Sequence, residues 1–314
     1  VILIFLTSQS HSQYNSEKIS FRSYNPYTFS DVMSNYSNLK SQEVFGNLVI
    51  PKDSLNPNKK YPLIVGVAGS LGWAEHHYEY LKMYQDLGYA TFELNSFKSR
   101  NITSTVGTQN EITMATMIVD AYKALEKLSD HPQIMKEKVS ITGWSLGGAV
   151  ALYSAWLPLK NSINKSLNFA SHLAFYPPCF FEFEDLNFSK VPIHILIGEL
   201  DDWTPSQPCN NLVNKLAMSN INVTVYKDSH HGFDRKGELE INENGYSFKD
   251  CMFDLNSDGD ILMNYLNIPM TNPFLQKIGF LFCVERGVTI GGNKAARKKS
   301  FKFAEDFMIK TLSR

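Results

Sequence analysis

The sequence predicts an α/β fold, a doubly wound and mostly parallel sheet with an insertion before its last helix. Three observations carry this expectation. Short β-branched runs alternate with helical patterns along most of the 314 residues. One apolar run, ending in Ile141-Thr142-Gly143-Trp144, passes through Ser145-Leu146-Gly147 directly into the helical apolar pattern Gly148-Ala149-Val150-Ala151-Leu152. The alternation breaks over about 236–290, where Asn, Gly, Asp and polar turns replace it, and resumes in a terminal helix near 293–312.

The elements follow in chain order. Residues 1 to about 40 are rich in Ser, Asn and Tyr and weakly patterned, a leader whose structure the pattern does not determine. Val44–Ile50 reads as an antiparallel strand. After a turn at Asn56-Pro57-Asn58, the run Tyr61–Ala68 reads as a buried strand by its length and β-branching. A helix is expected over about 76–87, a strand at Ala90–Leu94, and a helix over 111–129, where Met117, Ala121, Leu125 and Leu128 fall at helical spacing. A strand at 138–142 feeds Ser145. Further strands are expected at Leu173–Tyr176, Ile193–Ile197 and Val223–Tyr226, with a helix near 206–218. No internal repeat or low-complexity linker is visible, so the stretch 236–290 reads as an insertion packed on a single domain spanning 16–314.

Composition narrows the functional classes. With 43% hydrophobic residues and a formal charge of -1, a large core is feasible. Thirty Lys and Arg against thirty-one Asp and Glu, with no basic block, give no nucleic-acid surface. The run Arg297-Lys298-Lys299 with Lys302 reads as a solvated helix face. Nothing approaches the roughly 18 apolar residues of a membrane span. Val1–Leu6 resembles the tail of a signal-peptide apolar region, with a short edge strand as the alternative, and residues 1–15 are set apart on that account. The cysteines Cys179, Cys209, Cys251 and Cys283 are even in number, which suits oxidising conditions. Of three pairings we favour Cys179 with Cys209, both on loops after expected strands, and Cys251 with Cys283, which closes the insertion. Export to a periplasm or outside the cell is the expectation, cytoplasmic residence the alternative.

The chemistry centres on Gly143-x-Ser145-x-Gly147, a nucleophile elbow. A serine on a sharp strand-to-helix turn needs neighbours with almost no side chain, and the following helix aims its amides at a developing oxyanion. Serine is a poor nucleophile unless a base takes its proton, and the base works best when a carboxylate orients it. Glu199, Asp201 and Asp202 compete for the acid in the loop after the strand at 193–197. Asp201 is our choice, because it sits on the turn four residues before Pro205, and Asp202 is the alternative. His231, followed by Gly232, is the base, with His230 a rim residue. The oxyanion amides are assigned to Leu146 and to Ser70 in the loop Gly69–Trp73. That glycine-rich loop is not followed by Gly-Lys-Ser or Gly-Lys-Thr, which argues against a phosphate cradle. Trp73, Phe97, Trp144 and Trp203 flank these motifs and are the candidate pocket walls. The other histidines read as structural or surface groups, with contact to substrate the alternative for His76-His77 near the expected mouth of the site. No cofactor is required, and no metal site is expected. Asp254–Asp260 mimics the first half of a calcium loop, but Tyr265 stands where a bidentate glutamate belongs, so a polar turn is expected.

At this point the sequence resembles the dienelactone hydrolase family of the α/β-hydrolase fold. The likeness spans about 60–235 and the terminal helix. It rests in order on Gly69–Trp73, Asn95–Arg100, Gly143–Gly148, Tyr176–Cys179, Gly198–Pro205 and Tyr226–Asp234. It implies an esterase-like enzyme whose triad falls on Ser145, Asp201 and His231. The family's best-known members carry cysteine where this chain has Ser145, and Ala68 stands where relatives often carry histidine. The expected function is a serine hydrolase that acts on a small-molecule ester or lactone through an acyl-enzyme. The alternatives are a prolyl-oligopeptidase-like peptidase, for which no large extra domain fits, and a catalytically silent ligand-binding fold. The sequence says nothing about oligomeric state.

Overall fold

The computed structural model describes residues 14–53, 55, 56 and 58–313. Val1–Leu6 and Pro57, read above as leader and turn, lie outside the described residues. The leader reading needs correcting from Tyr14 onward. Residues Tyr14–Tyr24 form strand β1, and Phe29–Asn35 form helix α1. β1 is an edge strand exposed on both faces along its first half, and the inward alternation of Ile19, Phe21 and Ser23 is too short and too polar to mark it. Its register comes from the backbone of β2 (Ser41–Pro51), with Tyr14 opposite Pro51 and Tyr24 opposite Ser41. α1 opens on a capping box, in which Thr28 Oγ1 accepts the Asp31 amide at 3.0 Å and the Asp31 carboxylate accepts the Thr28 amide at 2.9 Å.

The remaining elements are β3 (Tyr61–Val67), α2 (Glu75–Asp86), β4 (Ala90–Leu94), α3 (Met114–Ser129), β5 (Ile134–Trp144), α4 (Leu146–Tyr153), α5 (Leu157–Ile163), β6 (His172–Phe175), β7 (Phe181–Phe183), β8 (Ile193–Gly198), α6 (Ser206–Leu216), β9 (Ile221–Tyr226), β10 (Glu240–Ser247), β11 (Phe253–Leu255), β12 (Ile261–Met263), β13 (Ile268–Pro269), α7 (Pro273–Phe280), β14 (Glu285–Ile290) and α8 (Lys294–Leu312). Eight strands make the main sheet in the order β1-β2-β4-β3-β5-β6-β8-β9. β1 and β2 join antiparallel, and every pair from β4 to β9 is parallel. β4 lies on one side of β3 and β5 on the other, so the sheet winds in both directions from β3. Right-handed crossovers in opposite directions put α2 on one face and α3 and α4 on the other. The side chains agree: Tyr80 of α2 stacks on Phe301 of α8 at 3.8 Å between ring centres, while Tyr122 of α3 donates to the Ser154 carbonyl at the end of α4. Central β3 and the second half of β5, from Val139 to Trp144, are buried, as a two-sided parallel strand must be.

The stretch 236–290 is more ordered than its sequence suggests. β10 pairs with β14, and β11 and β12 form a hairpin that extends to β13 and, on the other side, to β7 from between β6 and β8. Strands of two or three residues are too short to display an alternation. Asp254–Asp260 supplies the hairpin turn, where Gly259 donates to the Asn256 carbonyl and Asp260 donates its amide to Asp258. Phe248, Phe253, Met263 and Val288 merge into the same buried cluster as the main sheet. Cysteines pair as favoured above, Cys179 with Cys209 and Cys251 with Cys283, but Cys209 lies in the first turn of α6 and not on a loop. The first ties the loop after β6 to α6, and the second closes the β11-to-α7 region on itself. Among the described residues no helix is long and apolar enough to cross a membrane.

Two histidines sit inside the fold as neutral rings. His172 on β6 donates through Nδ1 to the Ala151 carbonyl at 2.8 Å, and burial pushes it down to about 4 from an ordinary 6.5. Burial likewise pushes His194 on β8 down to about 4. Each binds a proton more readily unfolded than folded. The stability this confers is complete above the unfolded value near 6.5 and is lost as pH falls from there toward 4. The melting temperature is therefore expected to drop between pH 6.5 and 4, and His172→Gln to flatten that drop, as read by calorimetry across the pH series.

Candidate active site

The site begins with the turn between β5 and α4. A Cβ on Gly143 would meet the Gly147 carbonyl oxygen at 2.0 Å, and one on Gly147 would meet the Val67 carbonyl oxygen at 2.1 Å. Real Cβ atoms do not approach so closely, so only glycine lets α4 fold back against β3 and β5. Between them Ser145 adopts φ 56 and ψ -116, a left-handed conformation costly for a side chain. Its amide donates to the Phe175 carbonyl on β6 at 2.9 Å. The side chain then points off the C-terminal edge of the sheet.

His231, on the loop after β9, places Nε2 3.0 Å from Ser145 Oγ. Its Nδ1 lies 2.9 Å from Oδ2 of Asp201, on the loop after β8. A carboxylate paired this way accepts, so Nδ1 carries the proton and Nε2 is left as an acceptor for the serine hydroxyl. His231 is 2% exposed and Asp201 4%, so both work out of water. Asp201 is held on its other oxygen by the amides of Trp203 at 3.0 Å and Thr204 at 2.8 Å. Thr204 Oγ1 donates to the Tyr176 carbonyl at 3.0 Å and lies 3.1 Å from His231 Nδ1.

The competing groups have other partners. Asp202 accepts the Thr289 amide and hydroxyl, each at 2.9 Å, and so anchors β14. Glu199 accepts the amide of Asp228 at 3.0 Å. Nδ1 of His230 is buried without a hydrogen-bond partner.

Behind His231 lies a group that sequence reasoning missed. Asp234 is wholly buried and accepts from the Trp144 indole at 3.2 Å and the Tyr176 hydroxyl at 2.9 Å. Tyr176 presents its ring to His231 in a T-shaped contact, 4.6 Å between centres. His76 Nε2 sits 3.3 Å from the Tyr176 hydroxyl, and burial lowers its pKa against the opposing pull of Asp234. His77 stacks on Trp144 at 4.4 Å, and burial holds it well below the usual histidine range. Both Tyr176 and Asp234 fall inside motifs singled out above, Tyr176–Cys179 and Tyr226–Asp234. Their roles depend on contacts 58 residues apart in the chain, which no local pattern announces.

Two depressions meet at Ser145. The larger, about 130 Å³, is bordered by Ser70, Ser145 and Leu146 and runs under the 236–290 segment. The smaller, about 120 Å³, lies between the Gly69–Gly72 loop, His76, Tyr176 and Arg235. Ser70 and Leu146 thus share a wall with Ser145, and as the first residue of α4 Leu146 has an amide with no acceptor inside the helix. Trp203 borders both depressions and Trp144 the smaller. Trp73 and Phe97, offered above as pocket walls, border neither. Trp73 donates to the Leu94 carbonyl at 3.1 Å and lies against Gly66 and Tyr78, and Phe97 is buried at the start of the 3-10 turn Lys98–Arg100. Both are packing residues over the sheet, because aromatic side chains next to a motif fill the nearest apolar space. Among the described residues no group of three or more His, Cys, Asp or Glu side chains is placed to hold a metal ion.

The model of the dienelactone hydrolase family matches residues 48–251. No curated protein matches the chain. Among solved structures, a dienelactone hydrolase-like promiscuous phosphotriesterase from metagenomic libraries is 17% identical, the alignment covering 71% of this chain and 85% of that one, with a TM-score of 0.51. Esterase 2 of Thermogutta terrifontis is 16% identical over 61% of this chain and 81% of that one, with a TM-score of 0.49. At such identities the first of these likenesses is one of fold.

The anchoring of β14 gives a test of the two adjacent aspartates. Asp202→Ala leaves the Thr289 amide and hydroxyl without their acceptor and is expected to destabilise the protein by about 2 kcal/mol, measured by urea unfolding.

Proposed function

The chain belongs to the dienelactone hydrolase family, and on that premise we propose that it is a serine hydrolase that cleaves carboxylic esters or lactones through an acyl-enzyme. The observation that carries the reading is the position of His231, 3.0 Å from Ser145 Oγ and 2.9 Å from Asp201, in a buried cleft at the sheet's C-terminal edge. In this reading His231 Nε2 takes the serine proton as Oγ attacks the carbonyl carbon. Asp201 keeps the proton on Nδ1 and balances the imidazolium that forms. The amides of Ser70 and Leu146 receive the oxyanion, a kind of interaction worth roughly 10²–10³ in rate per donor. His231 then returns the proton to the leaving alcohol, activates a water in the same position, and the acyl-enzyme is hydrolysed.

Tyr176, Thr204 and Asp234 act on this machinery by holding it. Thr204 and the Tyr176 ring confine the imidazole from two sides, and Asp234 fixes Tyr176. The two disulfides suit an oxidising compartment, and we read the protein as exported, periplasmic or secreted.

Ser145→Ala is expected to abolish turnover of a simple ester such as p-nitrophenyl butyrate with almost no change in melting temperature. Asp201→Asn is expected to lower kcat by about 10⁴, since the amide favours the wrong tautomer of His231. Retained Ser145→Ala activity would overturn the assignment.

A further inference from the structure

The larger depression at Ser145 has walls that the main sheet does not supply. Phe248, Phe253, Ile261, Met270 and Phe280 border it, and all five come from the 236–290 segment. Among the described residues no charged side chain borders it. A carboxylate or ammonium on the acyl group would lose its hydration there without a partner, which excludes charged acyl groups. Tyr27 and Gln276 also border it, with their polar groups already engaged. Tyr27 donates its hydroxyl to Gln276 Oε1 at 2.5 Å, and Gln276 Nε2 donates to the carbonyls of Thr108 and Gln109, each at 3.2 Å.

The volume, about 130 Å³, is close to that of roughly 150 Å³ at which an apolar cavity binds benzene. Phe280 packs edge-to-face on Phe248 at 5.6 Å and on Phe253 at 6.2 Å between ring centres, and Phe180 lies against both Phe248 and Phe253, so the wall is an aromatic cluster of the kind an aryl group packs on. The wall is also fixed in place. The Phe248 amide donates to the Trp203 carbonyl at 3.1 Å, next to Asp201, and the Cys251–Cys283 disulfide joins the chain just after Phe248 to the chain just after Phe280.

We propose that the 236–290 segment is the acyl-binding wall of the site and selects a compact, uncharged aryl acyl group. The proposal rests on the serine hydrolase reading above. Methyl esters test it, because the only ring is then in the acyl part: acetate, octanoate and 3-phenylpropanoate, each assayed by acid release. The expected kcat/KM for 3-phenylpropanoate exceeds those for acetate and octanoate by at least about tenfold, as filling an apolar pocket commonly gives. Ile261→Trp, which fills the cavity, is expected to cut the phenylpropanoate-to-acetate ratio about tenfold. Should that variant fail to fold, Phe280→Ala enlarges the same cavity and is expected to shift preference toward octanoate.

Octanoate preferred by the wild type, or ratios unmoved by a folded variant at these positions, would overturn the acyl-wall proposal while Ser145-dependent turnover left the hydrolase reading intact. If no ester is hydrolysed in a Ser145-dependent way, the hydrolase reading falls and takes this one with it.

Discussion

The close approach of three backbone segments at Ser145 is the constraint on which the rest of the molecule depends. The end of β3, the end of β5 and the first turn of α4 come so near one another that Gly143 and Gly147 have no room for a side chain. That contact fixes where the serine points, and it also fixes which loops can surround it. The loop after β3 carries Ser70, the residue after β6 is Tyr176, and the loops after β8 and β9 carry Asp201 and His231. Parallel strands put all five at one edge of the sheet, so groups from 70 to 231 in the chain meet in one cleft. The backbone strain at Ser145 is tolerated because α4, packed against β5, β6 and α3, holds the turn from every side.

A second tier of contacts keeps the imidazole in place. Asp234 is a buried carboxylate with neutral donors, Trp144 and Tyr176, on its two oxygens, and its carbonyl accepts from Arg297 of α8. Arg297 also pairs with Glu79 of α2 at 2.6 Å, so the face of the sheet opposite α3 and α4 is tied to the histidine loop. A buried charge left without partners is costly, and here each oxygen has one. Tyr176 transmits this fixity to His231 through its ring and to Thr204 through its carbonyl.

The acid loop serves two structures at once. Asp201 faces His231, while its neighbour Asp202 holds Thr289 with its side chain and accepts the Ser247 hydroxyl with its carbonyl. Adjacent residues on a tight turn point to opposite sides, so one carboxylate enters the cleft and the next reaches out to the 236–290 segment. That segment therefore sits in fixed relation to the serine, which is what a wall for part of a substrate requires.

Much of this was legible in the sequence, for physical reasons that can be named. Gly143-x-Ser145-x-Gly147 between a buried strand and an apolar helix specifies its own geometry, because the steric demand is local. A two-sided strand such as β3 announces itself as a nearly unbroken apolar run, and the order serine, acid, histidine follows from the order of the strands. The expected placing of the cysteines favoured both disulfides among three possible pairings. What the sequence left open were features whose cause is distant in the chain. β1 turns only Ile19, Phe21 and Ser23 inward and takes its register from β2. Trp73 and Phe97 lie beside motifs, yet the nearest apolar space for each is over the sheet. The three-residue strands of 236–290 become strands only by pairing with one another and with β7. The outward role of Asp202 on Thr289, the roles of Tyr176 and Asp234, and the aromatic residues beside Ser145 were decided by tertiary structure alone. Each depends on which side of a turn a side chain leaves and on what another part of the chain places there.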